Sequence, residues 1–504
     1  MAIAGLLVAA FIASRVALLL TSYDTNKNWE EPVFLFSATE LARDGLTHIF
    51  DHQDDLNHGG SVVLLLLAVP WVRVVGTSLV ALKGVAILWS ALTLCAFMAV
   101  GWRYFSPRVG LLWGVLYAAL SPTAARLNVT LVGSHPEVLL PCTAALAVYF
   151  EWLRSRGGSG RRDGALAFAL GVTSGLALWL AYIGATFVVP LLALRLASAR
   201  RRAVWAALAA GSLLGAAPWC YQDLWLRPHG ATLWLQHLGG RAAAGDGWIG
   251  ATGELAASFG YPDPGGPIVL ALCAAAFLAL CAGLSRPRWR ARLAAPLALL
   301  PLLIAPVLGL ALLAHAVVPR YPNEGYYHYR FFIPLQASLF WVVALAVDWA
   351  ASGFGRGVVA LVAGAAVIAG LWGQAPLYAQ GNHYRPDFDR DRADGCTVYG
   401  LAEWDRAGNA AAAASRLQQL IGGRCRERAF AGLGWAVGAQ YIKQRDVQWA
   451  QARLAAIADG SLRSAACGGF AFVLYHAADL EMTAQRRTAA LRQMAAVCRG
   501  PAAP

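Results

Sequence analysis

Two adjacent carboxylates, Glu30 and Glu31, are the strongest chemical signal in this sequence. Pro32 follows them, and Phe34, Ala38, Leu41 and Ala42 then recur at helical spacing. Pro32 suits the first turn of a helix, so both acids fall at its N-terminal end. A carboxylate fixed there can act as a general base toward a hydroxyl. Ordinary capping by a solvated acid explains the same spacing, and spacing alone favours it.

Other stretches carry polar chemistry. Gly133-Ser134-His135-Pro136-Glu137 places an imidazole beside a carboxylate. His135 can switch charge near neutral pH, and a His/carboxylate cluster can line a cavity or hold a metal. The competing reading is a polar first turn, with Ser134 as cap and Pro136 near its start. Tyr321, Tyr326, Tyr327, His328 and Tyr329 lead into Arg330. Aromatic rings in such a loop can stack on a sugar. An interfacial belt with a snorkelling arginine accounts for the same residues. His48, His52, His58, Asp54 and Asp55 show no metal-ligand spacing, although a divalent cation there is compatible with their types. The sequence requires no cofactor.

The elements that must position these residues are membrane helices. The chain is 58% hydrophobic and 14% charged, where soluble proteins carry about 25% charge. Apolar runs near bilayer length predict about eleven spans: 2–20, 78–100, 109–126, 136–152, 165–180, 182–197, 203–220, 266–284, 293–318, 331–350 and 357–375. The fold class is therefore an all-α polytopic membrane protein, with juxtamembrane helices in its first outer loop. Arg15 lies inside the first apolar run, which has no basic leader, so that run reads as a span and not a signal peptide.

The net charge of +13 is no nucleic-acid signal. Arginines cluster at 103–108, 154–162, 195–202 and 286–292, between spans, and put those loops on the cytoplasmic side. Loops 21–77, 127–135, 221–265 and 319–330 and the tail then face outward. Residues 60–76 are apolar but short. If they spanned, the acid-rich stretch 21–59 would be cytoplasmic, so a juxtamembrane or re-entrant segment is preferred. Lys27, Lys83 and Lys443 are the only lysines. Together with the Ala and Gly excess, this suits a GC-rich bacterial source.

Ionisable residues within spans are few: Arg15, Lys83, His315 and Asp348 are the main ones, several near span ends where they can snorkel. A coupled transporter would place acids or histidines at mid-membrane. Residues 1–375 form the membrane domain, 376–392 a linker, and 393–504 a small helical domain. In the tail, motifs around Gly400, Gly432–Gly434 and Gly469 recur at 30-odd residue spacing, which suggests degenerate helical repeats. Cys396, Cys425, Cys467 and Cys498 allow disulfides in an extracytoplasmic tail, with the pairing open.

Glu30-Glu31, the aromatic Phe34, Ala38, Leu41 and Gly45 together resemble the first outer loop of the GT-C glycosyltransferases. These polytopic enzymes use polyprenyl-phosphate sugars and include the protein O-mannosyltransferase and aminoarabinose transferase families. The family usually reads Asp-Glu followed by Tyr, where this chain has Glu30-Glu31 and Phe34. Arg15, the 57–76 segment ending in Val74-Val75-Gly76, Leu120-Ser121-Pro122, and Tyr329 to Leu335 resemble further family features in the same order. The resemblance implies Glu30 as catalytic acid with Glu31 beside it. It implies substrate contacts from Arg330, Tyr329, His135, Glu137 and His58. The implied partners are a polyprenyl-phosphate sugar, a lipid, glycan or protein acceptor, and membrane lipids. The implied location is a bacterial inner membrane, with transfer on the outer side. A flippase for a lipid-linked saccharide and a membrane scaffold presenting the tail are the alternatives. No inverted repeat of spans supports the flippase.

Overall fold

The computed structural model describes residues 2–21, 31, 34, 38, 41–42, 62–75, 79–131, 136–155, 160–198, 202–221, 247–262, 264–285, 296–314, 325–379, 396–397, 400, 403–404, 407, 409–420, 423–444, 446–476, 492, 495 and 498. Every regular element among them is helical. In the first 221 residues these are α1 (Ala2–Thr21), α2 (Val62–Val75), α3 (Leu79–Tyr104), α4 (Pro107–Ala119), α5 (Pro122–Leu127), α6 (Leu139–Arg154), α7 (Gly160–Leu180), α8 (Ala185–Ser198), α9 (Arg202–Gly215) and α10 (Ala217–Tyr221). Then follow α11 (Gly247–Ser258), α12 (Gly265–Ser285), α13 (Pro296–Leu312), a 3-10 segment (Gly325–Phe332), α14 (Ile333–Phe354) and α15 (Gly357–Tyr378). The tail holds α16 (Ala410–Leu420), α17 (Gly423–Gln444), α18 (Val447–Ala455) and α19 (Gly460–His476).

The protein is an all-α, multi-pass membrane protein. Six described helices are long and apolar enough to cross a bilayer: 2–21, 80–104, 161–180, 265–285, 329–354 and 357–378. Shorter apolar helices cover 63–75, 182–197, 202–215 and 299–312. The expected span 109–126 is not one helix. It breaks into α4 and α5 at Ser121-Pro122, because proline cannot donate to the helix ladder and Ser121 restarts it as N-cap.

The chain divides into two compact units. The first comprises Met1–Asn28, Asp44–Trp71 and Lys83–Tyr384. Its interior is built on stacked aromatics: Phe97 of α3 lies 3.8 Å from Trp113 of α4, which lies 4.1 Å from Trp341 of α14. Phe105 and Phe150 meet Trp341 edge-on. Such offset and T-shaped pairs satisfy the ring quadrupoles. Elsewhere small residues let backbones touch, as lipid tails give no hydrophobic drive between helices. A Cβ on Gly211 of α9 would strike the Phe168 carbonyl of α7, and one on Gly171 the Leu208 carbonyl. Exposed Leu6, Leu272, Leu361, Ile368 and Leu371 belong to the lipid-facing surface. Several residues of the basic clusters are ion-paired. Arg103 and Arg162 both meet Glu151, at 2.9 and 3.0 Å, and Arg195 meets Asp163 at 2.6 Å.

The second unit comprises Trp29–Arg43, Val72–Leu82 and Arg385–Pro504. A piece of the first loop and the tail thus belong to one compact body. Arg73 donates to the Ala42 carbonyl through Nε and Nη2, at 3.2 and 2.9 Å. In the tail the recurring glycines are the points where helices meet. Added Cβ atoms on Gly400 and Gly432 would strike the backbones of Ala429 and Thr397, and those on Gly434 and Gly469 the backbones of Ala466 and Ala431. Phe430, Leu433, Val437, Leu454, Ile457 and Phe470 fill the core between them. A disulfide joins Cys467 to Cys498, and Cys396 is also disulfide-bonded.

Candidate functional site

In the first unit the polar chemistry gathers around the short helix α5. Its chain continues into Asn128 and Val129, both buried. Asn128 Oδ1 accepts from Ser90 Oγ of α3 and from the Tyr117 hydroxyl of α4, each at 3.2 Å. The ammonium of Lys83, completely buried on α3, donates to the Val129 carbonyl at 3.3 Å. Trp89 donates its indole N–H to the Glu137 carbonyl at 2.9 Å. Buried polar groups this dense are costly unless bonded to one another, so the layer is specified by its partners.

Glu137 is buried in the turn that precedes α6. The helix starts at Leu139, with Val138 at the N-cap and no side-chain cap. The polar first turn expected from Ser134 and Pro136 is therefore not how this helix begins. Helix α5 also packs on the 3-10 segment that carries Tyr329 and Arg330, and α11 packs on that segment from another side. Arg330 and Tyr329 are half-buried. The guanidinium carbon of Arg330 sits 5.0 Å from the Phe331 ring centre, a distance suited to cation–π attraction. Glu254 of α11 is near enough for its charge to act on Tyr329. Arg330 thus lies on a neighbour of α5, while Lys83 and the Glu137 turn belong to the buried polar layer that follows α5.

In the second unit Glu31 is completely buried. It is helical, as are Phe34, Ala38, Leu41 and Ala42, and the first three of these are buried too. The spacing of 31, 34, 38 and 41 puts the carboxylate on the same face as the apolar residues. Glu31 is thus no solvated capping acid. Glu30, His58 and His135 lie outside the described residues, as do His48, His52, Asp54, Asp55 and His315. No group of three or more metal-ligating side chains occurs among the described residues.

Two of the few ionisable residues within the spans, Lys83 and Arg15, are buried within the helix bundle. For Lys83 the signal was present: a rare lysine in an apolar helix is a functional hypothesis by default. Asp348 behaves as a surface partner, 3.7 Å from Arg108.

No protein-family model matches this chain, and no curated protein matches it. Among solved structures the chain is similar to ArnT from Cupriavidus metallidurans in the apo state. Identity is 15%, over 98% of this chain and 77% of that one, with a TM-score of 0.46. The same protein bound to undecaprenyl phosphate matches at 16% identity, over 98% and 78%, with a TM-score of 0.45. The archaeal oligosaccharyltransferase AglB from Archaeoglobus fulgidus, in complex with an inhibitory peptide and a dolichol-phosphate, matches at 13% identity. That match covers 79% of this chain and 58% of AglB, with a TM-score of 0.49.

Proposed function

We propose that this protein is a GT-C glycosyltransferase that moves a sugar from a polyprenyl-phosphate donor to an acceptor hydroxyl on the outer side of a bacterial inner membrane. The observation that carries this reading is the burial of Glu31. It sits in the loop whose order of acids, aromatic and small residues resembles that family. A carboxylate kept away from water beside a membrane has a chemical task or a fixed partner.

In the proposed reaction, Glu30 or Glu31 takes the proton of the acceptor hydroxyl. The hydroxyl oxygen attacks the anomeric carbon, and the bond from that carbon to the phosphate oxygen breaks, with inversion. The polyprenyl phosphate leaves with the bonding electrons. Arg330 meets its two negative oxygens with a planar fork of donors. Tyr329, His135, Glu137 and His58 are proposed to shape the sugar and acceptor contacts. A divalent cation in the acidic loop is compatible with these steps.

The tail is proposed to be extracytoplasmic. Its disulfide belongs to an oxidising compartment, and it forms one compact unit with the Trp29–Arg43 piece of the acidic loop.

The test is Glu31→Gln and Glu30→Gln in membranes whose polyprenyl-phosphate sugars carry a radiolabel. Loss of general-base catalysis lowers transfer by roughly 10²–10⁴-fold. Full transfer in both variants would exclude Glu30 and Glu31 as the base.

A further inference from the structure

Helix α4 ends inside the protein. Leu120 closes it by donating to the Leu116 carbonyl at 2.9 Å, and Ser121 opens α5 by accepting from the Ala124 N–H at 3.1 Å. The last carbonyls of a helix have no partner within it. In a bilayer, water is not there to supply one.

Here the carbonyls are answered from three separate parts of the chain. Arg15 of α1 donates Nη2 to the Ala118 carbonyl at 2.7 Å. Gln374 of α15 donates Nε2 to the Ala119 carbonyl at 2.9 Å. Tyr261, between α11 and α12, donates its hydroxyl to the Leu120 carbonyl at 3.0 Å. Arg15 Nη1 also reaches Gln374 Oε1 at 3.3 Å, so two of the three donors bind each other. Among the described residues Arg15 donates to Ser14, Gln374 and Ala118, none of them a carboxylate. Its charge lies at the negative end of the α4 dipole, where a cation is stabilising.

The surroundings are shaped to admit these donors. A Cβ on Gly370 would strike the Ala119 carbonyl, and one on Gly373 the Tyr261 ring. Trp372 stacks on Tyr261 with ring centres 5.9 Å apart and planes 14° from parallel. Gly260 has φ of 79°, a conformation that side chains resist, and its position leaves room only for hydrogen against Thr123. The turn before Gly260 is bonded to the break as well. The Phe259 carbonyl accepts from the Thr123 N–H and from Ser121 Oγ, each at 3.4 Å.

We infer that Arg15, Gln374 and Tyr261 together form a composite C-cap of α4, and that they are positioning residues for the segment carrying Arg330. The cap fixes the break, the break fixes α5 and the 259–261 turn, and α5 and α11 both pack on the 3-10 segment Gly325–Phe332. The inference does not depend on the proposed reaction, and its test uses no substrate.

The experiment is hydrogen exchange, read by mass spectrometry, on the full chain in lipid nanodiscs. Tyr261→Phe removes one hydroxyl and keeps the ring. Gln374→Met keeps the side-chain length and removes the amide. Each variant is expected to speed exchange roughly tenfold over 116–131 and 325–332, while tail helices α16 to α19 keep the parent rate. Arg15→Met is expected to do the same more strongly. Parent-like exchange at 116–131 in Tyr261→Phe and Gln374→Met would overturn the cap. Faster exchange there with parent-like exchange at 325–332 would overturn the positioning role. A rise of equal size in the tail would overturn it too, since it would report global loosening.

Discussion

At the scale of single residues, the planar donor fork of Arg330 separates two readings. A guanidinium that binds a phosphate uses its planar fork, whereas one that anchors at the interface needs only charge and stem. Titration with undecaprenyl phosphate distinguishes them. Arg330→Ala is expected to weaken binding by about tenfold or more, and Arg330→Lys by a smaller but clear factor. Equal affinity for parent and Arg330→Lys would assign the residue to anchoring. The acids were legible in the sequence because they precede Pro32 and the helical spacing of Phe34, Ala38, Leu41 and Ala42. The burial of Glu31 was not legible: a carboxylate at a helix start reads the same in water and under a cover. Lys83 was visible as a rare charge in an apolar run. Its partner, the Val129 carbonyl, belongs to another element and leaves no local mark.

At the scale of elements, periodicity gave helices readily and their ends less well. The run 109–126 is apolar throughout, and only Ser121-Pro122 betrays the break that divides it. Gln374 gave no signal at all, because a lone amide in a long apolar helix acquires its meaning from the carbonyl it meets. The tail offers an accessible test of element ends. Asp459 accepts from the Ser461 N–H and hydroxyl and from the Leu462 N–H, at 2.9, 2.7 and 3.2 Å, at the start of α19. These bonds, led by that to the Ser461 hydroxyl, hold its carboxyl below the usual value. A pKa depressed on folding gives stability that is present above the unfolded value of about 3.9 and lost as pH falls through the folded one. Asp459→Ala is therefore expected to speed proteolysis near 460–476 at pH 7. Asp459→Asn is expected to stay near the parent at pH 7 and to lose the parent's extra sensitivity to acid below pH ~4. Identical acid profiles for Asp459→Asn and the parent would show that the cap does not titrate as proposed.

At the scale of the whole molecule, arginine clusters, disulfides and compact units bear on the same question of sidedness. Charge counting put the acidic loop and the tail outside on the assumption that 60–76 does not span. Helix α2 has 14 residues, about 21 Å of helix against a hydrocarbon core of roughly 30 Å. Helices α8 and α9 are equally short, so length alone leaves the assumption open and chemistry must decide. An alkaline phosphatase fused after Pro504 is expected to be active, and a thiol-reactive polymer is expected to shift the tail cysteines only after reduction. The reverse reporter result would place the tail inside, and the acidic loop's proposed side would go with it. Reduction then tests whether loop and tail act as one body. Opening the Cys467–Cys498 link, which spans a separation of 31 residues, removes a constraint worth about 2–4 kcal/mol to folded structure. Because Trp29–Arg43 belongs to the same compact unit as the tail, reduction is expected to raise hydrogen exchange at 31–42 along with 410–476. Faster exchange in the tail alone would mean that Glu31 is held by other neighbours, and that the tail can be removed without disturbing the proposed base.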